Sequence, residues 1–161
     1  MNTNTNTPTL YIIQGFIASG KSTFSRTLSA ETNAVILNPD EWVEKLYSVE
    51  EYTSNWNSCF DNTVTMLWSK AKEYLVNNTS VIFDMGFWYK KDRDFAKNFA
   101  KDNNAHFVHY YLDVPEHILK ERIIKDRPPK WAKIHLDNFD KNLKLFEKPT
   151  KNEKHIVIKN Y

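Results

Sequence analysis

The stretch Gly15-Phe16-Ile17-Ala18-Ser19-Gly20-Lys21-Ser22-Thr23 follows the pattern G-x-x-x-x-G-K-[ST], and each fixed position has a mechanical task. Glycine at 15 and 20 lets the backbone turn tightly and approach an anion with no Cβ in the way. The N–H groups of Ala18, Ser19, Gly20, Lys21, Ser22 and Thr23 can then curl around a phosphate. A helix starting there aims its positive end at the same point. Lys21 is expected to reach the terminal phosphates, and the Ser22 hydroxyl to ligate Mg²⁺. These residue types serve to hold a nucleoside triphosphate with its Mg²⁺.

Two carboxylates stand where such a donor would need them. Asp40 follows a short apolar run in Asn38-Pro39-Asp40-Glu41-Trp42. In an open α/β sheet, ligands lie beyond the carboxyl ends of the strands. Asp40 is therefore placed to take a proton from an attacking hydroxyl and align it with the γ-phosphate. An Asp before a helix is also a good N-cap, and that structural role stands beside the catalytic one. Asp84 closes the apolar run Val81-Ile82-Phe83 and precedes Met85-Gly86, which holds the third glycine of the chain. A carboxylate there can hold the Mg²⁺ water shell or the acceptor hydroxyl, so either Asp40 or Asp84 can be the principal base.

Of 22 basic residues only four are arginine: Arg26, Arg93, Arg122 and Arg127. A chain that defaults to lysine uses arginine where a planar, two-pronged donor matters. Arg122 and Arg127 flank a basic stretch and are expected to close over the transferring phosphate, as part of a small lid at about 122–135. A helix salt bridge is the structural alternative for Arg122. Arg26 reads as a surface residue. Arg93 and Gly86, both close after Asp84, are candidates for the acceptor pocket. Between Asp40 and Asp61, inclusive, lie six acidic residues and one lysine, interleaved with Trp42, Tyr47, Tyr52 and Trp56. Trp42, Tyr52 and Trp56 are expected to wall an acceptor pocket that is aromatic and negative. Such a pocket suits a neutral or cationic organic molecule, and suits a phosphodiester backbone poorly. The five histidines show no zinc spacing, and His106 and His109 read as structural.

The elements that must position these residues are legible as short apolar runs alternating with longer amphipathic stretches, the pattern of β-α-β units on a parallel sheet. Strands are predicted at 10–14, 34–37, 80–84, 106–112 and 154–158. Helices are predicted at 23–30, 41–47, 57–76 and 90–101, then from Pro115 to a stop at Pro128-Pro129, and at 136–146. The long third helix carries Phe60, Val64, Leu67, Trp68, Ala71 and Leu75 on one face. With no internal repeat and no linker, residues 9–161 read as one domain. An Asn/Thr-rich tail, residues 1–8, is expected to be disordered.

Charge is unevenly spread. Residues 1–80 hold 5 Lys/Arg against 8 Asp/Glu, and residues 81–161 hold 17 against 12, which places the basic surface in the half with the expected lid. The single cysteine, Cys59, allows no internal disulfide and suits a reducing compartment. No apolar run nears the ~20 residues that span a bilayer, and the start lacks a signal-peptide pattern. A cytoplasmic protein without membrane attachment is expected.

At these landmarks the chain resembles the small P-loop kinases grouped as AAA_33. These include polynucleotide 5′-hydroxyl kinases, chloramphenicol phosphotransferase, zeta toxins and shikimate- and gluconate-kinase-like enzymes. The resemblance is carried by residues 15–23, the Asp40-Glu41-Trp42 turn and Val81-Ile82-Phe83-Asp84 with Arg93 downstream. It continues through Leu112-Asp113-Val114-Pro115, leading to Arg122 and Arg127, and Phe146-Glu147-Lys148-Pro149. It implies a P-loop fold with a five-stranded parallel sheet of order 2-3-1-4-5 flanked by helices. Asp40 would be the acceptor-side base, Arg122 and Arg127 lid arginines, and ATP-Mg²⁺ the donor. Polynucleotide kinases of this type carry an arginine three residues after the catalytic Asp, where this chain has Val43. The expected function is transfer of the γ-phosphate to a hydroxyl of a small organic acceptor. A polynucleotide 5′-hydroxyl kinase and a non-catalytic or switch-type ATP-binding protein are the alternatives.

Overall fold

The computed structural model describes residues 7–161. The strands β1 (Thr9–Gly15), β2 (Val35–Leu37), β3 (Val81–Gly86), β4 (His106–Asp113) and β5 (Ile156–Lys159) form one sheet in the order β2-β3-β1-β4-β5. Every pairing is parallel, so all five carboxyl ends lie along one edge. From β1 the chain goes to the sheet edge at β2, returns inward to β3, and then crosses to β4 and β5 on the other side of β1. That makes the end of β1 the topological switch point, where open α/β sheets leave a crevice.

The connecting helices are α1 (Lys21–Thr32), α2 (Pro39–Leu46), α3 (Val49–Ser54), α4 (Trp56–Val76), α5 (Lys90–Asp102), α6 (Glu116–Asp126), α7 (Pro129–Asp137) and α8 (Phe139–Leu145). A central parallel strand is covered on both faces, which is why β1 reads as a nearly continuous apolar run. Leu10 and Ile12 pack with Phe83 against Leu67, Ala71 and Leu75 of α4 and Ala96 and Ala100 of α5. Ile13 packs with Ile82 and Leu112 against Leu28 of α1 on the opposite side.

The predicted elements are present, with differences that have local causes. The buried stripe of α4 is Cys59, Thr63, Leu67, Ala71 and Leu75. The expected Phe60, Val64 and Trp68 sit half-buried beside that stripe, with Trp68 stacked on Phe83 at 4.2 Å between centroids. Helix α3 was not predicted. It is nucleated by a capping box in which Ser48 and Glu51 bond each other's backbone N–H groups. The predicted helix at 136–146 is two helices, α7 and α8, broken at Asn138. Pro128 and Pro129 do stop α6, but Pro129 also opens α7, where its missing N–H costs nothing. The expected lid segment is thus the end of α6 and most of α7. Of the expected tail, residues 1–6 lie outside the described residues. Pro8 is buried, and its carbonyl accepts from His106 N at 2.8 Å. Among the described residues no helix is long and apolar enough to cross a membrane.

Candidate active site

Between β1 and α1 the backbone makes a tight loop in which Ser19 N donates to Phe16 O at 3.2 Å. Ala18 (φ 61°) and Gly20 (φ 90°) adopt left-handed conformations. A Cβ at Gly15 would overlap the Ser19 hydroxyl and crowd Lys21 Cγ, so any other residue there would force the Ser19 side chain to turn. The loop is supported from behind by its own Phe16. This ring stacks on Trp88 at 5.2 Å and meets the edges of Phe139 at 5.1 Å and Phe146 at 5.6 Å. Beneath it, buried Gln14 donates through Nε2 to Glu147 O at 2.8 Å. That leaves Gln14 Oε1 as the partner of His109 Nε2 at 2.9 Å, so the network assigns the proton to Nε2. Burial pushes His109 down to about 4, with Arg93 and His155 adding to the effect, so the ring stays neutral at physiological pH.

A cavity of ≈ 320 Å³ opens in front of this loop, lined by Ala18, residues 20–23, Asn38, Asp40, Asp84, Met85, Gly86 and Arg127. It brings Lys21, Asp40, Asp84 and Arg127 to one place from four elements or their ends. Lys21 Nζ donates to Phe16 O at 3.0 Å. Burial lowers the pKa of this ammonium, while Asp84 and Asp40 oppose that fall. The Asp40 carboxyl is pushed up by the surrounding protein and by Asp84 and Glu44, against the pull of Lys21 and Arg127. Asp84 is 4% exposed, and its Oδ2 accepts from Asn38 Nδ2 at 3.3 Å. It lies in a bulge between the pairs Ile12–Phe83 and Gln14–Gly86, where β3 has one residue more than β1 and continues two residues past its predicted end.

Capping of α2 falls to Asn38, whose Oδ1 accepts from Glu41 N at 3.2 Å. Asp40, one residue into the helix after Pro39, is free to face the cavity. Val43, at the position where polynucleotide kinases carry arginine, is fully buried in the core.

A second cavity, ≈ 560 Å³, adjoins the first through Ala18, Gly20, Thr23 and Arg127, and is completed by Arg122, Asp126 and Asn160. Arg127 lines both cavities. Arg122 lines only the second, donating to Ala18 O at 3.4 Å and Asn160 O at 2.6 Å, and it makes no helix salt bridge among the described residues.

Gly86 is the one expected acceptor-pocket residue that lines the first cavity. Arg93 is buried and committed to Glu153 and to the carbonyls of Phe87, Trp88 and Glu147. Trp42 lies two residues, or about 200° of helical turn, beyond Asp40. It packs against the core, with Lys45 and Lys70 Nζ over its ring at 5.4 and 5.5 Å. Tyr52 and Trp56 meet edge to face at the α3–α4 corner, where Trp56 is 40% exposed. Three contributors were not anticipated from the sequence: Asn38, Met85 and Asn160. The Asn-Pro-Asp order after a strand was a readable cap signal for Asn38; nothing local marks the other two. Among the described residues no group of three His, Cys, Asp or Glu could hold a metal, so a metal here would draw most of its ligands from phosphates and water.

Comparison with known proteins agrees with this geometry. The chain is 33% identical over 128 residues to L-seryl-tRNA(Sec) kinase of Methanococcus maripaludis, a match covering 72% of this chain and 45% of that protein. It therefore spans less than half the length of this relative. Its fold matches a sugar kinase from Janibacter sp. HTCC2649 with TM-score 0.66 and 17% identity, over 94% of this chain and 84% of that one. Chaetomium thermophilum Kti12, solved in complex with ADP-AlF3, matches with TM-score 0.63 and 15% identity, over 92% and 88% of the two chains. Residues 10–149 match the model of AAA_33, described as an AAA domain. A parallel sheet of this order, a phosphate loop at its switch point and a match over most of the chain lead to one assignment: the protein belongs to the AAA_33 family and is a nucleotide-binding P-loop protein of the kinase type.

Proposed function

We propose that the chain is an ATP-dependent phosphotransferase that moves the γ-phosphate to a hydroxyl of a small organic acceptor, working with Mg²⁺. The observation that carries this reading is the convergence of Lys21, Asp40, Asp84 and Arg127 on the cavity walled by residues 20–23. The loop fits a polyphosphate. Its glycines leave the backbone bare, and Lys21 forms no ion pair among the described residues. The N–H groups of residues 20–23 and the Lys21 ammonium would hold the β- and γ-phosphates. Ser22 and Asp84 would hold Mg²⁺, which when bound neutralises phosphate charge.

Asp40 accepts the proton of the acceptor hydroxyl as that oxygen bonds to phosphorus and the bond to the ADP oxygen breaks. Its raised pKa makes it a stronger base than an ordinary carboxylate. Arg127, shared by both cavities, stabilises charge on the group in transit. An arginine in that role is worth about 10³–10⁵ in rate. Asp40 and Asp84 on the cavity wall, with Glu44 close enough to act on Asp40, favour an acceptor that is neutral or cationic.

The test is ADP release and phosphate transfer across a panel of hydroxylated metabolites, nucleosides, antibiotics and oligonucleotides. Lys21→Ala and Asp40→Ala should both abolish transfer, with Asp40→Ala still binding ATP. Full turnover by Asp40→Ala would remove it as the base. The relative named as a seryl-tRNA kinase favours a second reading, a hydroxyl carried on RNA, and the basic half of the chain is compatible with it. Transfer to a 5′-hydroxyl oligonucleotide or an aminoacylated tRNA, with none to small molecules, would select it. ATP turnover that no acceptor stimulates, coupled instead to partner binding, would select a switch.

A further inference from the structure

The carbonyls on the outer side of the phosphate loop are tied to a residue far away in sequence. Asn160, just past β5, donates from Nδ2 to Ser19 O at 2.8 Å. Its own carbonyl accepts from Arg122 Nη2 at 2.6 Å, and Arg122 Nη1 donates to Ala18 O at 3.4 Å. Two successive loop carbonyls, Ala18 and Ser19, are thus held by a two-residue clamp. The Ser19 hydroxyl takes no part. It is buried and has no partner among the described residues, so Ser19 is tethered through its backbone. The neighbouring Lys159 pairs with Asp113 in the β4–β5 register and meets its carboxylate at 2.9 Å, which places Asn160 directly past the end of the sheet.

A trans peptide sets its C=O and N–H on opposite sides. Holding the Ser19 carbonyl toward Asn160 therefore turns the Gly20 N–H away from Asn160. Gly20 lines both cavities, and a Cβ at this position would overlap Asn160 Nδ2, so the glycine and the asparagine are matched. We infer that Asn160 is a positioning residue for nucleotide binding: by fixing the Ser19–Gly20 peptide and seating Arg122, it aims the Gly20 N–H at the phosphates. The inference rests on the loop binding a nucleotide and is independent of the acceptor.

ADP is the probe. Asn160→Ala and the nearly isosteric Asn160→Leu should both weaken ADP binding by about tenfold, the worth of one hydrogen bond. The melting temperature of the nucleotide-free protein should stay at the parent value. The chain has only three glycines, so ¹⁵N-glycine labelling gives three amide signals, from Gly15, Gly20 and Gly86. In the ADP complex the Gly20 signal should move in both variants while that of Gly86 stays. Parent-like affinity in Asn160→Leu would overturn the inference, as would an unmoved Gly20 signal. So would a melting temperature that falls together with affinity, because the residue would then be holding the fold. Failure of the parent to phosphorylate any small acceptor while it still binds ADP would count against the proposed function alone.

Discussion

Replacing Glu153 with glutamine should be among the most damaging conservative changes outside the phosphate-loop cavity. Arg93 is 2% exposed and its partner Glu153 11%. The pair is bidentate, with Nε to Oε2 at 2.7 Å and Nη2 to Oε1 at 3.0 Å. The guanidinium Nη1 also gathers three carbonyls, those of Phe87, Trp88 and Glu147, at 3.1, 3.3 and 3.0 Å. One side chain thereby joins the segment after β3 to the segment that precedes β5. The Arg93 hydrogen bonds, helped by the Thr150 N–H, hold the Glu153 carboxyl down to about 2 from 4.5. A shift of that size corresponds to about 3 kcal/mol at neutral pH. It agrees with the ~3–5 kcal/mol expected when one member of a buried pair is removed.

The sign follows from the depressed folded-state pKa. The contribution is fully present above the unfolded value of 4.5 and is lost as pH falls through about 2. Urea unfolding of the parent and Glu153→Gln at several pH values reads it directly. The deficit should be about 3 kcal/mol at pH 7, shrink to about 1.4 kcal/mol at pH 3, and nearly vanish at pH 2. A deficit below about 1 kcal/mol at pH 7, or one that does not change with pH, would refute the reasoning. Neither side chain lines the phosphate cavity, so ADP affinity should stay within about twofold at temperatures where the variant is folded.

Two further outcomes follow from the polar groups near the loop. His109, lowered to about 4, should show no ring titration by NMR above about pH 5. Because the unfolded ring takes its proton near 6.5, stability should decline as pH falls from 6.5 toward 4, and His109→Gln should lose that part of the decline. For the proposed transfer reaction, the Asp40 carboxyl is raised above its ordinary 3.8, so the acidic limb of the rate profile should lie above that value. Asp40→Asn should remove the limb along with the activity. A limb at the ordinary carboxylate value would refute the raised pKa.

The phosphate loop was legible because its requirements are local. A tight turn, a bare backbone and a lysine at a helix start are all written within nine residues, and the structure builds them in order. The centre of the sheet was legible for a related reason: β1 and β3, buried on both faces, leave nearly uninterrupted apolar runs. What escaped was set by small residues and by distance. The inner stripe of α4 begins with Cys59 and Thr63, so in its first half the larger Phe60 and Val64 were mistaken for the buried positions, while Leu67, Ala71 and Leu75 were placed correctly. Asn160 lies 141 residues from the Ser19 carbonyl it holds, and no sequence window contains both.

Arginine scarcity was a sound guide to importance but not to role. Each of three arginines binds backbone carbonyls or faces the cavity, yet they divide the work. Arg93 fastens two segments behind the loop, Arg122 clamps the loop carbonyls, and Arg127 alone faces Lys21 and Asp40. The guanidinium fork explains the shared choice, since several carbonyls or oxygens must be gathered by one rigid plane at each place. Where that plane points depends on the helix end that carries it. Arg93 sits in the first turn of α5, facing inward, and Arg122 in the body of α6. Arg127 stands at the extended break before Pro128, where leaving the helix turns it toward the crevice. The two prolines that close α6 therefore contribute to the site as directly as the arginine does. A helix continued through Arg127 would set it about 140° around from Arg122; the extended backbone imposed before Pro128 sends it instead to the cavity that Lys21 and Asp40 line.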